Sequence, residues 1–160
     1  MGDTEPDAVL APTAVTAGLS RLRRGSLAVL ALTVVEYLIG MDVNLYVTVP
    51  RADHGSSLGT EISNGPAVLS LHAVAGLLLG LGALGVLVQS VLARHWVVAG
   101  VSSAGLLSLA FASVAGAGFT STGDNSASMA MSVLTGVAVL CYAANLYVLR
   151  PARAGKRPDT

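Results

Sequence analysis

Four long apolar stretches, separated by short polar segments, dominate the pattern of the chain. Three of them contain no Asp, Glu, Lys or Arg, over 32 residues after Glu61, 29 after Arg94 and 25 after Asp124. The first stretch, residues 27–49, contains two acids. A helix needs about 20 mostly apolar residues to cross roughly 30 Å of hydrocarbon. Each stretch is therefore long enough for one crossing, and none is comfortably long enough for two.

The pattern predicts an all-α membrane protein with four transmembrane helices in an antiparallel bundle. We expect the helices at about 27–49, 66–93, 96–118 and 126–149, within one membrane domain at 25–150. Pro66 suits the first turn of a helix, and Asp124 to Ser126 can cap the fourth. Membrane β-strands would alternate in polarity, which the runs 77–79 and 137–140 do not.

Both ends of the chain read as cytoplasmic tails. Residues 1–24 are acidic at the start and lack a sustained apolar face, which predicts a disordered segment. The following apolar stretch is too long for a cleaved signal peptide. Residues 151–160 form a basic tail. Eight basic residues flank the inner helix ends and only Arg51 lies on the other side, so the positive-inside rule places both termini in the cytoplasm. We expect a bacterial plasma membrane.

Composition narrows the classes of partner. Charged residues make up 11% of the chain and hydrophobic residues 53%, against about 25% charged residues in a soluble domain. The zero formal net charge argues against nucleic acid, which requires a basic surface. The single cysteine, Cys141, excludes an internal disulfide. The lipid bilayer is the partner that these numbers favour.

Small residues recur at four-residue spacing, as they do where membrane helices pack closely. The third helix carries the longest of these stripes: Gly100, Ala104, Ser108, Ala112 and Gly116. A stripe that is not used within the bundle could support a homodimer or a larger membrane complex.

Glu36 is a candidate site because a charge near the bilayer centre is costly and usually has a partner. Counted from the outer helix ends, Tyr142 and Asn145 come to a similar depth and are its expected hydrogen-bond partners. One interpretation is a protonated acid that fixes helix register. The other is a proton- or cation-binding carboxylate of a proton-coupled small-molecule carrier.

A second candidate group lies in the outer half, where Asp42 and His72 come to nearly equal depth. Three interpretations remain open. Asp42 and His72 could pair to hold the first two helices together. His72 could bind haem b, with Gly76 leaving room for the porphyrin. His72 could also form a soft copper site with the sulfur atoms of Met41, Met129 and Met131. The other residues of this layer are Asn44, Met41, Met129 and Met131.

Three short motifs carry a resemblance to a known group. The segment 36–47, the Gly65-Pro66 pair leading to His72, and the segment 116–119 resemble small uncharacterised actinobacterial integral membrane proteins. The resemblance implies a four-helix membrane fold and no known activity. Small multidrug carriers are similar only in having four helices and one acid in the first.

The sequence therefore favours a membrane protein of unknown specific activity, acting as a structural or accessory subunit rather than as an enzyme. A haem- or copper-binding redox protein centred on His72 is the first alternative. A proton-coupled carrier that uses Glu36 is the second.

Overall fold

A computed structural model of the protein describes residues 12–46, 67–122 and 124–150. These residues form four helices: α1 Pro12–Tyr46, α2 Ala67–Leu92, α3 Trp96–Thr122 and α4 Asn125–Val148. α1 packs against α2 and α4, and α3 packs against the same two helices. Each helix contains a stretch long and apolar enough to cross a membrane. The predicted all-α fold with four membrane-span-like helices is thereby confirmed.

α1 begins earlier than the sequence predicts. The helix starts at Pro12, so residues 12–24, expected as part of a disordered tail, are helical. The later part of this extension packs onto the other helices, because Leu22 is buried in an apolar cluster with Val98 and Leu149, and Leu19 packs against that cluster. The predicted tail 1–11, the loop 47–66 and the basic tail 151–160 lie outside the described residues.

The buried residues of α1 repeat at alternating intervals of four and three. They are Leu22, Ser26, Val29, Thr33, Glu36, Gly40 and Val43. α2 continues the same repeat with Leu79, Ala83, Val86 and Ser90, and α4 with Thr135, Ala138, Tyr142 and Asn145. A repeat averaging 3.5 residues keeps one narrow stripe of each helix facing its neighbours.

The polarity of the surface is inverted relative to a water-soluble protein. Buried side chains include eight polar ones, among them Thr33, Ser102 and Asn145, whereas large apolar side chains such as Leu77, Leu78 and Leu81 are exposed. Water-soluble monomeric proteins rarely expose apolar side chains in such numbers. The exposed surface is the one that hydrocarbon would contact.

Local chemistry defines two helix ends. Asp124 caps α4, as its sequence predicts, by accepting a hydrogen bond from the Ser126 amide at 2.9 Å. α2 ends in a Schellman motif, in which His95 N–H donates to the Ser90 carbonyl and Arg94 N–H to the Val91 carbonyl. Arg94 adopts a φ of 58° there, a conformation that glycine adopts without strain.

The small-residue stripe of α3 does not form a single packing face. Ser108 and Ala112 are buried, but Gly100 and Ala104 are exposed. A four-residue step overshoots the helical repeat of 3.6 residues, so the four steps from Gly100 to Gly116 wind partly around the helix. The buried positions of α3 follow the seven-residue repeat instead.

Candidate functional site

Glu36 of α1 and His72 of α2 meet at the interface of these helices. Glu36 Oε1 and His72 Nδ1 are 2.9 Å apart, and we call these residues the Glu–His pair. Glu36 is 7% exposed, and the His72 side chain is 25% exposed. The contact has the distance of an ion pair, but the ring nitrogen lacks hydrogen-bond geometry, and Glu36 Oε2 has no hydrogen-bond partner.

Each member of the pair is fitted to a glycine on the opposite helix. A Cβ on Gly40 would lie 3.1 Å from His72 Cε1, and a Cβ on Gly76 would lie 3.2 Å from Glu36 Oε1. Both distances are below ordinary van der Waals contact. The two glycines therefore let the imidazole and the carboxylate pack directly against the facing helices.

The expected partnership of Asp42 with His72 is wrong, because the structure pairs His72 with Glu36. Asp42 follows Gly40 by two residues, or about 200° around an α-helix, while Gly40 is the residue that contacts the His72 ring. Asp42 is accordingly exposed on another face of α1. Counting depth from the helix ends misled here, because it placed Glu36 near the bilayer centre and His72 in the outer half, although the two are in contact. Depth also does not fix the direction in which a side chain points.

Tyr142 and Asn145 are fully buried, but they do not contact Glu36 as expected. Asn145 Nδ2 donates a hydrogen bond to Ser102 Oγ on α3 at 2.9 Å. The Tyr142 ring packs over Gly105 of α3 and belongs to the core cluster that includes Val29. Val29 lies two helical turns from Glu36, towards the α1 N-terminus. These two residues thus belong to a separate polar group.

The methionines of the outer layer lie at different surfaces. Met131 places its sulfur beside Gly116 of α3, while Met41 and Met129 are 43% and 69% exposed. Asn44 accepts a hydrogen bond from Ser128 of α4 at 3.2 Å. The described contacts of these residues do not assemble a copper site around His72.

The structure does not show the space beside His72 that the haem interpretation requires. The space beside Gly76, expected to admit a porphyrin, is occupied by the Glu36 carboxylate, and the His72 ring edge lies against Gly40. Within the described ranges, no three or more His, Cys, Asp or Glu side chains cluster as metal ligands. The pair therefore remains the chemically notable feature of this layer.

A groove of about 260 Å³ lies between α1 and α4, away from the Glu–His pair. It is lined by Val34, Tyr37, Ser132, Gly136 and Val139. Its volume is below the usual range of ligand pockets, and neither Glu36 nor His72 contributes to its wall.

Sequence reasoning found Glu36 and His72 but missed Gly40 as a packing partner, and it missed Ser26 and Ser102 as buried polar residues. The available signal was the repeat of four and three residues along α1, which places Ser26, Glu36 and Gly40 on one face. Serines are common in apolar helices, so the residue type alone did not indicate that Ser26 and Ser102 are buried.

No family model, curated protein or solved structure matches this chain. The likeness to small actinobacterial membrane proteins therefore remains a resemblance of short motifs.

Proposed function

We propose that the chain is a multi-pass protein of a bacterial plasma membrane, with its four helices antiparallel and both termini in the cytoplasm. The order of contacts supports the antiparallel arrangement of α1 and α2. Gly25 lies next to Val86, Val29 next to Gly82, and Gly40 next to His72. The residue numbers of α2 therefore decrease as those of α1 increase, as they do in antiparallel helices. The eight-to-one distribution of basic residues supports the orientation.

Within that membrane, we propose a structural or accessory subunit in which the Glu–His pair fixes α1 against α2. The observation that supports this role is the reciprocal glycine fit, at 3.1 and 3.2 Å. A substrate site needs space beside its charged group, whereas both polar groups here are packed against the opposite backbone. Interhelical polar contacts of this kind stabilise membrane helix packing by about 0.6 kcal/mol on average.

Reversible unfolding of the full chain in mixed micelles tests this role. A pair that fixes α1 against α2 predicts that Glu36→Gln and His72→Ala each lower the free energy of unfolding. The double variant should lose less than the two losses added together, because both changes remove the same contact. Asp42→Asn is the matched control, since it removes an exposed acid from the same helix. Single variants as stable as Asp42→Asn, or losses that add in full, would contradict a structural pair.

A proton-coupled small-molecule carrier is the second candidate, because the pair is incompletely satisfied. Glu36 Oε2 is buried without a hydrogen-bond partner, so the carboxyl group has an oxygen free to take a proton. In that case Glu36→Gln should abolish pH-driven uptake into vesicles containing the purified chain, while Asp42→Asn should not. Uptake that survives Glu36→Gln would exclude this candidate.

A further inference from the structure

A polar layer crosses the inner half of the helix assembly, between two apolar clusters. Ser26, Ser102 and Asn145, from α1, α3 and α4, are each 0% exposed. One helical turn from these residues, towards the N-terminus of α1, the same three helices contribute Leu22, Val98 and Leu149 to one apolar cluster. One turn to the other side, Val29, Leu106 and Tyr142 belong to or pack against the main core. The three polar residues therefore share one level.

The layer and its neighbour Tyr142 contain polar atoms whose hydrogen-bonding capacity is unused. Ser26 Oγ, Asn145 Oδ1 and the Tyr142 hydroxyl are buried and have no hydrogen-bond partner. α2, the helix that contributes no residue to the layer, provides a contrast, because its equally buried Ser90 donates to the Leu87 carbonyl at 2.7 Å. Buried polar groups in native proteins are almost always hydrogen-bonded to protein or to ordered water.

We propose that this inner polar layer is a binding site for internal water. The unpartnered groups comprise one carbonyl oxygen, which accepts, and two hydroxyls, which both donate and accept. A water molecule offers two donors and two acceptors, and buried waters typically make two to four such bonds. The layer residues are uncharged, so a metal cation would lack a compensating carboxylate. Water fits both the hydrogen-bond pattern and the charge.

This inference is independent of the Glu–His pair, and two measurements on the full chain in detergent test it. The first is X-ray hydroxyl-radical footprinting, in which bound water generates radicals beside the residues that it contacts. We expect oxidation of Tyr142 although it is 0% exposed, and a severalfold decrease in Ser26→Ala. Tyr147, which is exposed at the inner end of α4, is the internal control and should be oxidised equally in both. An unmodified Tyr142 beside a modified Tyr147 would overturn the proposal.

The second measurement uses the sign of a stability change. If water bridges the layer, Ser26→Ala removes a partner from that water and should lower the denaturant concentration at the unfolding midpoint. If the layer is dry, the same change removes an unsatisfied hydroxyl and should leave the midpoint unchanged or raise it. Ser90→Ala, which removes a hydroxyl bonded within its own helix, provides the reference shift. A Ser26→Ala midpoint at or above the parent value would also overturn the proposal.

Discussion

Replacing Gly105 with alanine tests the packing of α3 against α4, the most extensive helix contact in the described structure. The added Cβ would lie 2.9 Å from Tyr142 Cε2 and 3.2 Å from Cys141 Cβ. Carbon atoms rest at about 3.5–4.0 Å, so the ring would have to retreat by roughly 0.6–1 Å. Tyr142 is fully buried in the core, which leaves it little room to move.

Overpacking of this kind costs about 1–3 kcal/mol, and alanine in a helix offsets it by about 0.5–1 kcal/mol relative to glycine. We therefore expect Gly105→Ala to lower the free energy of unfolding by about 1 kcal/mol, and by no more than about 2.5 kcal/mol. Gly100→Ala, on the same helix, is the matched control, because its Cβ would meet nothing within 4 Å. Gly100→Ala should be more stable than the parent, because only the higher helix propensity of alanine acts at that position.

The assay is reversible unfolding in mixed micelles, followed by circular dichroism. The difference between the two variants isolates the packing cost, because both carry the same helix preference. Tyr142→Leu in the Gly105→Ala background should recover part of the loss, since it removes the ring that the new methyl group contacts. If Gly105→Ala and Gly100→Ala were equally stable, the close approach of α3 and α4 at this position would be refuted.

Three further predictions address the Glu–His pair and the helix ends. Gly76→Ala should be less stable than the control Gly80→Ala by about 1 kcal/mol, because only the Cβ at position 76 displaces the Glu36 carboxylate. Equal unfolding midpoints would argue against the close fit of Glu36 to Gly76. Arg94→Gly should raise the free energy of unfolding by about 1 kcal/mol by relieving a positive φ, whereas a gain of the same size in Arg94→Lys would contradict that cause. Hydrogen bonds from the Ser126 amide and hydroxyl lower the pKa of Asp124 below 3.8, so its stabilising effect is present above that pH and is lost as pH falls through the lowered value. Asp124→Asn keeps an N-cap and should therefore lose less stability than the parent between about pH 5 and 2; parallel acid-unfolding curves would refute this.

The residues of the Glu–His pair could be predicted from the sequence, but their pairing could not. Counting residues from helix ends identified Glu36 and His72 as costly polar groups, and both lie at a helix interface. The same counting placed Glu36 deeper than His72 and paired His72 with Asp42, because a residue count gives neither the relative shift nor the rotation of two packed helices. Gly40 and Asp42 are two residues apart and point to different sides of α1, and only Gly40 faces α2.

The sequence by itself determined the four apolar helices and the cap of α4. These features are local, since hydrocarbon requires each spanning segment to satisfy its own backbone hydrogen bonds, and Asp124 lies next to the amide that it accepts from. Tertiary structure alone decided the burial of Leu22 near the start of α1, the pairing of Glu36 with His72, and the level shared by Ser26, Ser102 and Asn145. These depend on how each helix is rotated about its axis, and that rotation is set by packing between residues far apart in the chain.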